Sequence, residues 1–193
     1  MKTICDTPID YVDNLTSSKH ILLLYEDLEH AKMIMFRFIK NGLISGEECV
    51  YTTEEDSGSI VIKMLSYGIP LKYFQSKQLR VLQINNRSGS QDEILENCRR
   101  DLAMIQMSLK TPFRIVSRIV PNVDTIERIS AELKIERDVQ SQFDDLGGFI
   151  MCPYDISKIE PSKRKHWLDN LRENHHAVIY VPKSGYSGVF TLD

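Results

Sequence analysis

Short apolar runs alternate with longer amphipathic segments along most of this chain. Runs of aliphatic and aromatic residues predict buried strands, and apolar positions spaced three and four residues apart predict helices. The predicted strands are 20–25, 48–53, 79–84, 113–120, 149–152 and 177–181, with a terminal edge strand within 186–192. The predicted helices are 28–44, 59–67, 91–109, 123–143 and 161–174. This alternation predicts a three-layer α/β fold, in which a mostly parallel sheet of six or seven strands is flanked by helices.

The turn between the first predicted strand and the first predicted helix lacks the glycines of a phosphate-binding loop. No glycine lies between residues 22 and 42. A P-loop needs bare backbone N–H groups that wrap the phosphates, followed by a Lys-Ser/Thr pair. Here the turn carries three carboxylates, which favour the positive end of the helix dipole and would repel a phosphate; they are Glu26, Asp27 and Glu29. Asp27 is interpreted as the helix N-cap. The sequence thus predicts a nucleotide-type scaffold whose nucleotide site is degenerate.

The length of the chain and its net charge indicate the number of domains and exclude some classes of partner. The 193 residues fit one domain, so 1–193 is treated as a single unit. The net charge is −3, which argues against nucleic acid or an anionic membrane as a direct partner. The most basic stretch, 158–172, also contains Glu160 and Asp169, as a solvated helix face would. No apolar run approaches the roughly 20 residues that span a bilayer, and the N-terminus lacks the apolar segment of a signal peptide.

The cysteines and histidines give no recognisable metal signature. The four cysteines form no CxxC pair, which suits a reducing cytoplasm; they are Cys5, Cys49, Cys98 and Cys152. His175 and His176, taken with Cys152, suggest a metal site, but their spacing is unlike any compact zinc motif. We therefore expect no metal and no cofactor. Cys152, in an apolar run, is expected to be structural.

Candidate binding residues follow the predicted strands at their carboxyl ends. In open α/β sheets ligands bind beyond these ends, so side chains from several strands meet there. Tyr25, Arg118, Tyr154 and Asp155 are expected to converge on one pocket, with Glu54 or Asp155 as the partner of Arg118. His20 is a further candidate, although a histidine before a strand more often braces it. No residue is assigned a catalytic role.

An ordered set of short motifs accompanies this pattern. It consists of His20-x4-Tyr25, Glu29, Phe38, Gly42-Leu43-x2-Gly46-Glu47-x-Cys49-x-Tyr51, Met151-Cys152-Pro153-Tyr154-Asp155 and His176-Ala177-Val178-Ile179. Together these motifs resemble the MEDS domain, a sensory domain of methanogens and methylotrophs, over about residues 18–182. The resemblance implies a RecA/KaiC-like fold that has lost the P-loop. Arg118 occupies a strand end where relatives often carry an acidic residue, which affects the expected charge of a ligand.

The resemblance also implies a role. Such domains sense small ligands, hydrocarbon derivatives among them, within signalling or transcriptional proteins. Relatives are often fused to a DNA-binding or kinase domain, so here output is expected through a partner protein in trans or through a homodimer. The leading hypothesis is a non-enzymatic, cytoplasmic sensory domain. The two alternatives are a divergent KaiC/RecA-like ATPase and an interaction scaffold with a closed cleft.

Overall fold

The computed structural model describes residues 2–4, 7–84, 89–118, 120, 125–159 and 161–192. The strands are β1 (Lys2–Ile4), β2 (His20–Tyr25), β3 (Glu48–Thr53), β4 (Leu79–Gln83), β5 (Phe113–Val116), β6 (Phe149–Asp155), β7 (Ala177–Val181) and β8 (Gly188–Thr191). The helices are α1 (Pro8–Asp13), α2 (Leu28–Ile44), α3 (Ser57–Ser66), α4 (Lys72–Gln75), α5 (Gln91–Met107), α6 (Ile126–Ser141), α7 (Phe143–Leu146) and α8 (Pro161–Glu173), with a 3₁₀ turn at Ile156–Lys158.

The strands of the described residues form one sheet in the order β1-β8-β7-β2-β6-β5-β3-β4. Six strands, β2 to β7, run parallel, while β8 pairs antiparallel with both β7 and β1. β2 lies in the interior of the sheet between β6 and β7. The predicted mostly parallel α/β fold, with its first long strand at the centre, is confirmed. The sheet has one strand more than the six or seven predicted, because β1 adds to one edge.

Helices cover both faces of the sheet and create two cores. One core contains Ile21 and Leu23 of β2 and the apolar side of α2, including Phe38. The other contains Leu22 of the same strand and Trp167 of α8. Successive residues of a strand point to opposite faces, so a strand buried on both sides is apolar throughout, as β2 is. This alternation decides which polar residues can meet.

Most element boundaries match the predictions, and the main omissions lie at the N-terminus. The sequence interpretation assigned no element before residue 18, yet β1 and α1 are present. A local signal existed for α1: Thr7 and Asp10 form a capping box, with Pro8 in the first turn. The strand predicted over 113–120 ends at Val116. The first residues of the helix predicted over 123–143 lie outside the described residues.

A buried ion pair connects β5 to the turn between α2 and β3. Arg114 lies near the start of β5, and only 4% of the residue is exposed. Its Nε donates to Glu47 Oε2 at 2.7 Å, and its guanidinium lies over the rings of Phe38 and Phe149. A buried charge needs such a partner.

No helix among the described residues is both long and apolar enough to cross a membrane.

Candidate functional site

Acidic side chains occupy the start of α2, at the carboxyl end of β2. Asp27 caps the helix, because its Oδ1 accepts a hydrogen bond from the His30 N–H at 3.1 Å. The Glu26 carboxylate accepts from the Lys183 N–H at 3.1 Å, which ties it to the segment after β7. The N-cap role predicted for Asp27 is confirmed. A P-loop would present free N–H groups to phosphate here, whereas this turn presents carboxylates that already have backbone partners.

A cleft of about 240 Å³ opens beside this turn. Its walls come from α2, from the ends of β2, β3 and β6, and from the segments after β3, β4 and β5. The lining residues are Tyr25, Leu28, Lys32, Met35, Tyr51, Thr52, Thr53, Glu54, Glu55, Ile84, Arg118, Pro153 and Lys158. The site is where the parallel topology predicts a ligand site, at the carboxyl edge of the sheet.

The floor of the cleft carries a lysine whose charge is already neutralised. The side chain of Lys32 is 3% exposed, and its Nζ lies 2.7 Å from Glu55 Oε1. Lys63 Nζ lies 2.8 Å from the other oxygen of the same carboxylate. Burial alone would raise the pKa of Glu55, but the hydrogen bonds from Lys32 and Lys63 lower it below its ordinary value. Glu55 therefore stays ionised between two ammonium groups.

A second ion pair and two tyrosines also line the cleft. Arg118 pairs with Glu54, one of the two partners expected for it, and its side chain is 14% exposed. Burial raises the pKa of Tyr25 to about 12, and the Tyr51 hydroxyl lies deeper, 3.8 Å from Met35 Sδ. The tyrosines are thus neutral at physiological pH and offer rings and hydroxyl groups rather than charge. Lys158 adds an exposed cation beside them.

Of the predicted binding residues, Tyr25 and Arg118 line this cleft, and Tyr154 does not. The prediction that Tyr154 converges with them is wrong. In the sheet register Tyr154 lies opposite Leu24, whereas Tyr25 lies opposite Asp155. Register partners share a face, so Tyr154 points to the opposite face from Tyr25. It is completely buried there and stacks edge-to-face on Trp167 at 5.0 Å.

Asp155 and His20 are also absent from the cleft lining. Asp155 is adjacent to Tyr25, but its carboxylate caps the 3₁₀ turn, accepting from the Ser157 N–H at 3.1 Å. Of the two partners expected for Arg118, it is Glu54 that forms the ion pair. His20 begins β2, five residues before Tyr25, so the two α-carbons are roughly 16 Å apart along the strand. His20 is fully buried on the face that contacts α6.

A buried polar cluster surrounds His20 on that face. The cluster consists of His20, Glu132, Glu136, Cys152, Tyr154 and His175. Burial raises the pKa of Glu132 to about 8, with the charge of Glu136 adding to the effect. Burial would also raise the pKa of Glu136, but His175 and His20 lower it to about 2. Burial lowers the pKa of His175 to about 3. The cluster thus contains one ionised carboxylate and one protonated carboxyl.

The Tyr154 hydroxyl bridges the two carboxyl groups of this cluster. It contacts Glu132 Oε1 and Glu136 Oε1, although a hydroxyl carries only one proton. Hydrogen bonds to both carboxyl groups therefore need a second proton, which a protonated Glu132 supplies. Tyr154 then donates to the Glu136 carboxylate, while Glu132 donates to the tyrosine oxygen. Tyr154 thereby acts as a structural link within the second core.

Comparison with known protein families identifies the chain. The profile of the MEDS family, described as the methanogen/methylotroph, DcmR sensory domain, matches residues 19–176. The chain belongs to the MEDS family. The match extends from the start of β2 to the start of β7, so the cleft and the buried cluster both lie within it. Membership supports a sensory or regulatory role for the domain.

Solved structures resemble this MEDS domain in fold. The KaiC-like protein PH0186 from Pyrococcus horikoshii OT3 has a TM-score of 0.61 at 16% identity, covering 93% of this chain and 80% of that one. The flagellar accessory protein FlaH from Methanocaldococcus jannaschii has a TM-score of 0.59 at 13% identity, covering 92% and 77%. A sequence comparison with curated proteins gives no significant match. The RecA/KaiC-like fold is thus confirmed.

Sequence reasoning missed several residues of the MEDS cleft. Lys32 and Met35 line it from α2, and Tyr51 lines it from β3. Lys32 and Met35 are three residues apart and follow Leu28 at helical spacing, so their shared helix face was readable from the sequence. Glu55 lies two residues after the end of β3, at the same edge of the sheet. Its pairing with the buried Lys32 depends on tertiary packing.

Proposed function

We propose that this MEDS domain is a non-enzymatic sensor that binds a small molecule in the cleft at the carboxyl edge of its sheet. The observation that carries the proposal is the cleft itself, with Tyr25, Tyr51 and Arg118 in its lining. Six of the thirteen lining residues are apolar or aromatic and the other seven are polar, so the cleft offers both apolar contacts and hydrogen-bonding groups to a small molecule. The three side chains come from three different parts of the chain, so a ligand would contact several strands at once.

The chemistry of the lining favours a compact, partly apolar molecule with one polar group. Leu28, Met35 and Pro153 supply apolar contacts, and the tyrosines supply rings. Each cation of the lining lies next to a carboxylate, Arg118 next to Glu54, Lys158 next to Asp155 and Lys32 next to Glu55, so these cations offer hydrogen-bond donors rather than unpaired positive charge. Such a surface suits a small hydrocarbon derivative with a hydroxyl or a weakly acidic group. The signal would pass to a signalling or transcriptional partner in trans, or across a homodimer.

The nucleotide alternative is disfavoured by the start of α2. Asp27 and Glu26 occupy the turn where phosphates would bind, and both carboxylates accept backbone hydrogen bonds. The scaffold alternative requires a cleft filled by core side chains. A volume of about 240 Å³ next to Tyr25 favours a ligand site over a filled cleft.

Native mass spectrometry of the purified protein tests the proposal by detecting a co-purified small molecule. Two variants of α2 make the test specific to the cleft. Leu28 lines the cleft and is 41% exposed, so Leu28→Trp fills the cleft without disturbing the core. Ile44, at the other end of the helix, is 68% exposed and lies outside the lining, so Ile44→Trp is the matched control.

The expected result is a bound molecule in the wild type and in Ile44→Trp, and its loss from Leu28→Trp. Adding the identified molecule should raise the melting temperature of the first two proteins only, because a ligand stabilises the state that binds it. If the Leu28→Trp protein retained the molecule, the binding site would lie outside this cleft. A wild type that neither carries a small molecule nor responds to a library of hydrocarbon derivatives would favour the scaffold alternative.

A further inference from the structure

Four side chains of the types that bind metals in proteins lie close together inside the second core, away from the cleft. They are His20 at the start of β2, Glu136 in α6, Cys152 in β6 and His175 before β7. All four are buried, and one potential ligand atom from each lies within 4.8 Å of the other three. Residues 20, 136, 152 and 175 are far apart in sequence, so their meeting is a product of the fold.

Four of the six distances between these ligand atoms are close to those of a tetrahedral site, and all six are within 4.8 Å. His20 Nε2 lies 3.2 Å from Glu136 Oε2 and 3.3 Å from Cys152 Sγ. Glu136 Oε2 lies 3.5 Å from His175 Nε2 and 3.7 Å from Cys152 Sγ. Metal–ligand bonds of about 2.0–2.3 Å place neighbouring ligands of a tetrahedral zinc ion roughly 3.3–3.8 Å apart. Four of the six donor pairs therefore lie at or very near the edge length of a zinc tetrahedron.

The hydrogen bonds around the cluster orient the ligands toward its centre. His175 Nδ1 lies 2.6 Å from the Leu171 carbonyl oxygen and donates to it, which leaves the Nε2 lone pair free. That Nε2 is buried and makes no hydrogen bond to any described residue, although Glu136 lies 3.5 Å away. Tyr154 holds the other oxygen of Glu136. Such outer partners fix the orientation of ligands in metal sites.

We propose that His20, Glu136, Cys152 and His175 bind one Zn²⁺ ion. A thiolate and a carboxylate neutralise its charge, so the occupied site has no net charge in the core. Two imidazoles, one thiolate and one carboxylate are donors that Zn²⁺ accepts in tetrahedral geometry. The metal ion deprotonates the thiol on binding. Four protein ligands fill the coordination sphere, so the ion is structural and connects β2, α6, β6 and the start of β7.

A metal-free network would use the same atoms. His176 Nδ1 accepts from the His20 backbone N–H at 3.0 Å, which puts the proton of a neutral His176 on Nε2. Gln140 lies with Oε1 3.0 Å from His20 Nδ1 and Nε2 3.2 Å from His176 Nε2. A rotation of this amide by a half-turn would let it accept from His176 and donate to His20 Nδ1, so that the proton of His20 would sit on Nε2 and point at Glu136. That arrangement leaves His175 Nε2 without a hydrogen bond. The experiment must therefore separate the two states directly.

Metal content and X-ray absorption of the tag-free protein, purified without chelators, provide the test. The expected result is one zinc per chain, with an absorption fine structure that fits one sulfur ligand at about 2.3 Å and three nitrogen or oxygen ligands at about 2.0–2.2 Å. Both measurements use the wild type and do not depend on a variant that folds. Substoichiometric metal after refolding with excess Zn²⁺, or a coordination shell without sulfur, would overturn the proposal.

Cobalt substitution assigns the sulfur. Co²⁺ added to the metal-depleted wild type should give tetrahedral visible bands and a thiolate-to-cobalt charge-transfer band. Cys152→Ser should lose the charge-transfer band. Cys49→Ser is the matched control, since Cys49 is also buried but belongs to the first core, where its Sγ lies near the Ile39 and Glu47 carbonyl oxygens. Persistence of the band in a folded Cys152→Ser protein would exclude this site, and its loss in Cys49→Ser would do the same.

Discussion

Arg114 and Glu47 form a bidentate ion pair inside the first core, with Arg114 Nε 2.7 Å and a terminal nitrogen 3.4 Å from the two carboxylate oxygens. The Phe38 carbonyl oxygen accepts a third hydrogen bond from the guanidinium at 3.1 Å. The pair connects β5 to the turn before β3. It gives a physical reason for the Gly42-Leu43-x2-Gly46-Glu47 motif, because Glu47 neutralises the charge that Arg114 buries.

Arg114→Met should destabilise the domain strongly. The substitution leaves the Glu47 carboxylate buried without its partner, a loss that typically costs about 3–5 kcal/mol. Arg37→Met is the matched control, since Arg37 also makes a bidentate pair, with Asp13, but is 45% exposed. An exposed pair contributes at most about 1 kcal/mol. Urea denaturation measures both, and equal losses would contradict a special role for the buried pair.

Gly42→Ala should also destabilise, although alanine favours helices. A Cβ at Gly42 would lie 2.6 Å from Arg114 Cδ and 2.9 Å from Glu47 Oε2, and neither side chain is free to move. Overpacking of this kind costs about 1–3 kcal/mol. At Gly188 the nearest atoms to an added Cβ are 3.6 Å away, so Gly188→Ala is the control. If the Gly42→Ala protein were as stable to urea as this control, the Arg114–Glu47 pair would have moved to make room for the added methyl group.

The fold could be predicted because its signals are local. The run Ile21–Leu24 is apolar throughout, and only a strand covered on both faces needs that pattern. Asp27 stands at the N-cap of a long amphipathic helix, so the boundary between β2 and α2 was predicted to the residue. β1 was missed because its partner, β8, lies at the other end of the chain. Pairing between distant segments leaves no periodic signal near either one.

The candidate site could be predicted only in part, because the strand register determines to which face of the sheet a side chain at a strand end points. Tyr25 and Tyr154 both belong to the carboxyl ends of their strands, and the topology correctly placed them at one edge. A shift of one residue in register moves a side chain to the other face, and the pairing of Tyr154 with Leu24 does this. The cluster around Cys152 was rejected on sequence spacing, which says nothing about residues that four separate elements bring together.

The Lys32–Glu55–Lys63 network should make stability depend on pH. The pKa of Glu55 in the folded protein is below the value of 4.5 for the free side chain. A lowered carboxyl pKa stabilises the folded state above 4.5, and this contribution is lost as the pH falls through the folded pKa. The difference in stability between wild type and Glu55→Gln should therefore be largest at neutral pH and shrink in acid. Denaturant titrations across that range measure it.

Glu29→Gln is the control for this pH dependence. Glu29 lies 3.7 Å from the same Lys32 ammonium, but 70% of its side chain is exposed. Solvent screens such a pair, so its removal should change stability little at any pH. A Glu55→Gln difference that stayed constant in acid, or that Glu29→Gln reproduced, would show that the buried lysine does not set the pH response.

The domain should not bind Mg-ATP, despite its KaiC-like neighbours. Lys32 lies in the second turn of α2 and faces the cleft, and it is the one lysine in the first two turns of this helix. Its ammonium group is paired with Glu55, whose Oε1 lies 2.7 Å away. The turn before it presents Glu26 and Asp27 to any phosphate. Calorimetry with millimolar Mg-ATP should give no saturable heat, under conditions in which an established P-loop ATPase binds. If Mg-ATP bound saturably and Lys32→Ala abolished that binding, the domain would be a nucleotide-binding protein and this prediction would be wrong.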